Sequence, residues 1–357
     1  MLWIDRLHRW TGGIAGLLLT LIGLSGALLV HRDALVMLPH AHDRQLQDVA
    51  MLASSIRRIA ADGGTAPATI MLASDHLGLH RVTYGDGAGA YFDQAGDRIA
   101  AWFGPWERPE LLLLDFHEHL LAGPFGQSLA VLGAVAGLFC LGTGILLWWR
   151  TRKTFAFRLW PARMSRPAIM RQHRDFGVVM APLLFLSLAT GLVLGLQALF
   201  ALAPTVPVIP LTASPGHASM ATRTGIDWPG IIGEAHRRFP EAEFRSIAFP
   251  REPDGRILVR MRQPWEWQPN GNTMLCFSPR TMRPVAMRDP ARSSAPARFY
   301  ALLYPLHAAR VGGFGYRIVM TMSGLALAML GTFAIWTFWF CRPKRTMVPK
   351  RKAGLAA

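Results

Sequence analysis

Twelve histidines are scattered through the 357 residues, and four of them recur in matched surroundings. His8-Arg9-Trp10-Thr11-Gly12 resembles His173-Arg174-Asp175-Phe176-Gly177 at an offset of 165, and Ser25-Gly26 and Thr190-Gly191 keep that offset. Gly123-Pro124-Phe125-Gly126 matches Gly312-Gly313-Phe314-Gly315 at an offset of 189, which Leu141-Gly142-Thr143 and Leu330-Gly331-Thr332 preserve. His117 and His307 correspond across this second offset with one residue gapped. A lone histidine at a membrane boundary is ordinarily hydrated or bonded to backbone, but matched placement in two halves makes pairs. Two imidazoles facing each other across a two-fold axis can hold haem iron from both sides. That arrangement suits electron transfer and leaves no site open for dioxygen. A flat macrocycle against a helix also needs small residues near its ligand. Gly12 and Gly16 follow His8 in steps of four, and Gly177 and Ala181 follow His173, so each set shares a helix face. Near the other pair Gly315 is eight residues after His307, although Val311 between them is bulkier.

The elements that must position these residues are apolar. Residues 10–30, 127–149, 176–202 and 318–340 contain no Asp, Glu, Lys or Arg, and each run is long enough to cross a hydrocarbon core of about 30 Å as a helix. The first run is too long for a cleavable signal and is followed by no small-residue cleavage site, so it reads as a retained helix. Apolar residues make up 51% of the chain and charged residues 17%, which excludes disorder, a collagen-like chain and a disulfide scaffold and disfavours an ordinary soluble enzyme. The net charge of +16 admits either a nucleic-acid binder or a membrane protein with positive inner loops. Its distribution decides. Residues 150–174 hold eight Lys or Arg and no acid, and 342–357 hold six and no acid. Short basic segments stay in the cytoplasm. The N-terminus (1–9), the loop 150–175 and the tail 341–357 are therefore expected inside, with 31–126 and 203–317 outside. No soluble segment interleaves basic clusters with aromatics, so nucleic acid is not an expected partner; the lipid bilayer is. Cys140, Cys276 and Cys341 form no redox or disulfide motif.

The chain thus reads as an α-helical membrane protein, a tandem duplication of helix, outer domain and helix. Both copies run in one direction, which places their two-fold axis along the membrane normal. Each outer region is expected to be a small α+β domain. The first has a helix over 45–61, ended by Asp62-Gly63-Gly64, then strands near 69–73, 79–84 and 90–92 with turns at Asp86-Gly87 and 93–96. The second has a helix over 228–239 and strands over 244–249, 257–261 and 273–277.

Leu7-His8-Arg9-Trp10, the His173-Arg174 before the third helix, Leu306-His307 before the fourth, and the helix-plus-sheet outer domains together resemble the PepSY-associated transmembrane family. Phe277-Ser278-Pro279-Arg280 departs from the family, which often has Asp at this turn; Phe92-Asp93 keeps it. The resemblance implies a bacterial inner-membrane protein with PepSY-like periplasmic domains, linked to iron uptake, and two haem b groups serving a ferric-siderophore reductase. The residue spacing alone goes no further than a membrane b-type cytochrome. No glycine-rich dinucleotide fingerprint follows a strand, so the electron donor, quinol or a reductase, must lie elsewhere. The alternative function is a non-enzymatic envelope protein that binds or inhibits a protease or acts as a sensor. A permease is disfavoured, because the four apolar runs lack ionisable Asp, Glu, Lys or Arg.

Further site residues follow. His31, whose repeat mate is Leu196, and His119 are rivals for a place in the outer pair. Arg9 and Arg174 are suited either to haem propionates or to anchoring the cytoplasmic face. Trp3, Trp148, Trp149, Trp336 and Trp339 suit an interfacial belt. Arg260, Arg262, Trp265 and Trp267 could receive an anionic ferric chelate by charge and stacking, or simply form a strand and its loop. His40, His42, His76, His80, His217 and His236 read as surface residues.

Overall fold

The computed structural model describes residues 2–46, 48–62, 67–85, 87–200, 209–210, 225–250 and 255–340. The expected basic tail with Cys341, the Gly63-Gly64 turn, Asp86, Leu202 and His217 lie outside the described residues. Among the described residues four helices are long and apolar enough to cross a membrane: α1 (Leu2–Leu29), α4 (Gly123–Thr151), α5 (Arg166–Phe200) and α8 (Gly313–Ile335), the last continued by a π-helical turn (Trp336–Phe340). The protein is a membrane protein with an antiparallel sheet outside the helices. Every helix begins before its apolar run. α1 begins at Leu2, so His8 and Arg9 sit within it, and α5 begins ten residues before the run at 176. Cationic and aromatic side chains can reach the interface from such helical extensions, so charge ends the apolar run without ending the helix.

The four helices form a ring in which α1 packs on α8 and α4, and α5 packs on α4 and α8. The α1–α8 crossing is set by reciprocal glycines. A Cβ at Gly23 would lie 2.6 Å from the Gly324 carbonyl oxygen, and one at Gly324 would lie 2.6 Å from that of Gly23. Small residues let membrane helices approach this closely. Gly16 meets Gly331 in the same way, so its spacing from His8 serves helix packing as well as any bound ring.

Outside the bundle, the first copy supplies α2 (Val49–Ala61), β1 (Pro67–Met71), β2 (His80–Tyr84), β3 (Gly89–Phe92), β4 (Arg98–Trp102) and α3 (Pro109–His119). The second supplies β5 (Ile209–Pro210), α6 (Trp228–Arg238), β6 (Glu243–Ala248), β7 (Ile257–Arg262), β8 (Thr273–Phe277), β9 (Pro284–Arg288) and α7 (Ala295–His307). α2 starts on Asp48, whose carboxylate accepts the Ala50 and Met51 amides, and Asp227 does likewise for the Gly230 amide at the start of α6. The nine strands form one sheet in the order β4-β3-β2-β1-β6-β7-β8-β9-β5.

The regions expected as two domains therefore share a sheet. β1 pairs antiparallel with β6, setting Ile70 opposite Ile247, so the first strand of one copy meets a strand of the other. α2 and α6 pack side by side on one face. Ile56, Ile59, Ile70, Val82 and Phe92 from the first copy and Trp228, Ile231, Ile247, Val259 and Phe277 from the second belong to one core. Each of these side chains contributes roughly 1.5–3 kcal/mol by leaving water. Separate domains would have exposed β1 and β6 as sheet edges, and the seam removes both. Strands β4 and β9 and helices α3 and α7 add to the expected elements. α3 and α7 carry His117 and His307 over the bundle.

Candidate functional site

The four repeated histidines meet as two pairs. His8 on α1 faces His173 on α5 with ring centroids 6.4 Å apart and ring planes at 81°. At the sheet end of the bundle His117 on α3 faces His307 on α7 at 6.1 Å and 42°. Two imidazoles bound to one iron from opposite faces, each nitrogen about 2 Å from the metal, hold their centroids about 6 Å apart. Both pairs have that spacing. Among the described residues no group of three or more His, Cys, Asp or Glu is placed to hold a bare metal ion.

The ring nitrogens have defined roles. His117 Nδ1 lies 2.9 Å from Ser25 Oγ, and His307 Nδ1 lies 3.0 Å from Thr190 Oγ1. His8 Nδ1 lies 2.9 Å from Thr143 Oγ1. Each hydroxyl donates its one proton to a carbonyl of its own helix: Ser25 to Ile22, Thr190 to Leu186 and Thr143 to Phe139. A carbonyl of the same turn, that of Ile22 for His117, Ser187 for His307 and Cys140 for His8, also accepts from each ring. The proton therefore belongs on Nδ1, the nitrogen on that side, and Nε2 keeps the lone pair that a metal uses. Burial, with the neighbouring His307 ring, pushes His117 down to about 4, and burial also lowers His307. Both are neutral at neutral pH.

The sequence offset that ties Ser25-Gly26 to Thr190-Gly191 now has a physical meaning. A Cβ at Gly26 would stand 3.0 Å from His117 Cε1, and one at Gly191 would stand 2.9 Å from His307 Cε1. Each dipeptide gives a hydroxyl to hold a ring and a glycine to let it lie flat on the helix. Sequence reasoning found these residues as markers of the repeat and missed what they do. Their fixed distance from a repeated histidine was the available signal. The symmetry breaks once: Thr143 holds His8, whereas its repeat mate Thr332 donates to Ala328.

Around His8 and His173 lies a cavity of about 740 Å³, within the range of cofactor pockets, about 300–1,000 Å³. Gly12 and Gly177 line it, as do Arg9 and Arg174. Arg174 is held by Asp175, which is fully buried, and by the Thr154 carbonyl at 2.9 Å. Arg9 remains half-exposed, 4.0 Å from Asp5. Arg150, Arg166 and Arg171 line the same cavity and were missed, although the acid-free run that contains them was conspicuous. Arg166 Nε is buried with no hydrogen-bond partner, a donor suited to an anionic group. Trp3, Trp149, Trp336 and Trp339 are exposed on the helix ends nearby.

Other expected residues lie apart from the pairs. His31 Nε2 bonds to Thr321 across α1 and α8, and His119 bonds to Asp115 one turn back on α3. In the second copy Arg262 is tied to the Glu266 carbonyl at 3.1 Å and to Glu243 at 3.6 Å. Arg260 is part-buried and reaches Asn272, at 3.5 Å. Trp265 and Trp267 are half-exposed. Buried Glu266 shapes their loop by accepting the Gln263 amide and the Thr273 hydroxyl. These four residues thus present two half-exposed indoles, one tied guanidinium and the part-buried guanidinium of Arg260, whose Nε has no hydrogen-bond partner among the described residues. His80 is not a surface residue. It is 4% exposed, and its Nδ1 accepts the Ala73 amide at 2.9 Å.

No curated protein shows significant similarity to the chain. The family described as PepSY-associated TM region matches residues 6–342, which takes in all four helices, both histidine pairs and the whole sheet. With nearly its full length covered, the chain belongs to that family.

Proposed function

We propose that the protein is a di-haem b electron-transfer protein of the bacterial inner membrane. It passes electrons from the cytoplasmic side or from quinol to a periplasmic acceptor, and the family resemblance favours ferric-siderophore iron as that acceptor. The observation that carries this reading is the coordination-like spacing of two separate histidine pairs, at 6.4 and 6.1 Å. The acid-free cations of residues 150–174 support a cytoplasmic loop, and with it cytoplasmic termini and a periplasmic sheet.

His8 and His173 would hold one haem and His117 and His307 the other. When bound, haem would supply one-electron chemistry there. The chain's own contribution is preorganisation. Thr143, Ser25 and Thr190 fix ring orientation and tautomer, so Nε2 is presented without a competing proton. Arg9 and Arg166 line the inner cavity, where they offset carboxylate charge. Leu19, Met180, Leu184 and Leu188 pack between the helices and keep water from the space separating the pairs. Each ferric ion takes one electron. The ferrous product binds hard oxygen chelators less tightly, which releases the metal.

The full chain, expressed with ample haem and purified in detergent, should be red, with a sharp Soret band that shifts on dithionite reduction. His8→Ala or His173→Ala should remove one haem and leave the other. A colourless protein overturns the proposal, and two haems surviving either substitution overturns the inner assignment.

A further inference from the structure

A second cavity, of about 90 Å³, lies between the membrane-facing side of the sheet and the top of the bundle. It has room for a few waters or one small oxyanion, and none for a macrocycle. Arg32, Arg81, Arg245 and Arg310 line it, with Asp33 and Glu110 as the acids. Both acids are already engaged. Asp33 takes a two-pronged ion pair from Arg310, one arm at 3.1 Å, and Glu110 accepts the Tyr91 hydroxyl at 2.9 Å. Burial raises the Asp33 carboxyl, but the hydrogen bond and charge of Arg310, aided by Arg32, outweigh it and leave it ionised.

Arg245 is the unsatisfied member. Its side chain is only 9% exposed and its Nε has no hydrogen-bond partner. Glu243 lies 3.6 Å away, beyond hydrogen-bond reach, and is shared with Arg262. The strand makes a bulge here, since Phe244 and Ser246 pair with successive residues of β7 and Arg245 is skipped. Bulges re-aim a side chain, and this one lines the cavity. A guanidinium stays charged when buried, and this one, with its only ion pair shared and its Nε unbonded among the described residues, has donor capacity left for an anion. The field is positive enough to reach His76, which burial and the charges of Arg310 and Arg317 push down. The cavity also adjoins the outer histidine pair. Leu114, one of its walls, is one turn before His117 on α3, and Arg310 is three residues after His307.

We infer that this cavity is a carboxylate site, in which Arg245 supplies the open donor and Arg310, Arg32 and Arg81 supply the surrounding charge. The carboxylate has two possible sources. One is a propionate of the group held by His117 and His307, which rests on the function proposed above. The other is a free carboxylate entering from the sheet side, which does not.

The full chain in detergent is compared with Arg245→Gln, and with Arg81→Gln as a second variant should the first fail to fold. Haem-depleted protein is melted in sodium propionate and in sodium chloride at equal ionic strength. Propionate should raise the parental Tm in a saturable way, and either variant should weaken its apparent affinity roughly tenfold or more. Haem-loaded protein is then titrated redox-potentiometrically. If a propionate of the outer haem fills the cavity, added propionate no longer raises Tm, and the variant shifts the midpoint potential of one centre only. If the source is a free carboxylate, the Tm response survives loading and both potentials stay put. A protein that never binds haem defeats the functional proposal, yet the propionate response of the depleted chain still supports this site. Equal melting in propionate and chloride, together with unshifted potentials in the variants, overturns it.

Discussion

Removing the hydroxyl behind His307 separates a working ligand from a packed imidazole. Thr190→Val keeps the branched shape and deletes Oγ1, which sits 3.0 Å from His307 Nδ1. The Nδ1–H then faces a methyl group in surroundings whose burial already disfavours the charged ring. The Ser187 carbonyl also accepts from the ring and remains, so the cost is that of one lost hydrogen bond, about 0.5–1.5 kcal/mol. The ring is held less firmly, and the hold on anything bound at Nε2 should weaken roughly 10-fold, the low end of the penalty for disturbing the group behind a metal-bound histidine. Ser25→Ala does the same to His117 and therefore acts on the same centre. Thr143→Val acts on His8 and therefore on the other. The assay is transfer of haem from detergent-solubilised protein to excess apomyoglobin, followed through the Soret band. Two release phases are expected from the parent. Thr190→Val and Ser25→Ala should speed one phase, and Thr143→Val the other. Release at parental rates in Thr190→Val, or the same phase accelerated by Thr190→Val and Thr143→Val, would refute the tautomer argument.

Two further outcomes concern stability. Gly324→Leu places a Cβ 2.6 Å from the Gly23 carbonyl oxygen, so α1 and α8 must part; a loss of about 1–3 kcal/mol and a lower Tm are expected, and an unchanged Tm contradicts the close crossing. His80 is buried and held at about 4, whereas the unfolded chain protonates it near pH 6.5. Between those values the unfolded state binds the extra proton, so stability is full above pH 6.5 and falls as pH drops toward 4, by about 3 kcal/mol in all. Denaturant melts of the parent and of His80→Gln across that window check this, and the same slope in both would exclude His80 as its source.

The helices and the histidine pairs were legible in the sequence because both are repeated signals. An apolar run of more than twenty residues has few alternatives to a spanning helix, and the two offsets bring matched positions together once the halves face each other. The ends of the helices were not legible, because Arg166 and Arg171 break an apolar run while leaving helical hydrogen bonding intact. α3 hid because Leu111–Leu114 is apolar on every side and shows no 3.6-residue period. His80 read as surface because nothing local announces that its ring will cap the Ala73 amide. The β1–β6 seam was invisible for a deeper reason. Strand alternation says which face is buried and is silent about the neighbour, and Ile70 and Ile247 stand nearly half the chain apart. Ser25 and Thr190 were in plain view, but a hydroxyl's role depends on which ring arrives beside it.

That seam bears on how the protein is made. The chain emerges from the N-terminus, so β1 reaches its side of the membrane long before β6 has been synthesised. In the interval β1 has β2 on one flank and an unpaired row of amides and carbonyls on the other. Such an edge invites pairing with any strand at hand, a neighbouring nascent copy included. The sheet closes only when the second half follows. The duplicated halves are therefore obliged to travel together, and the window between their arrivals is when misassembly threatens most.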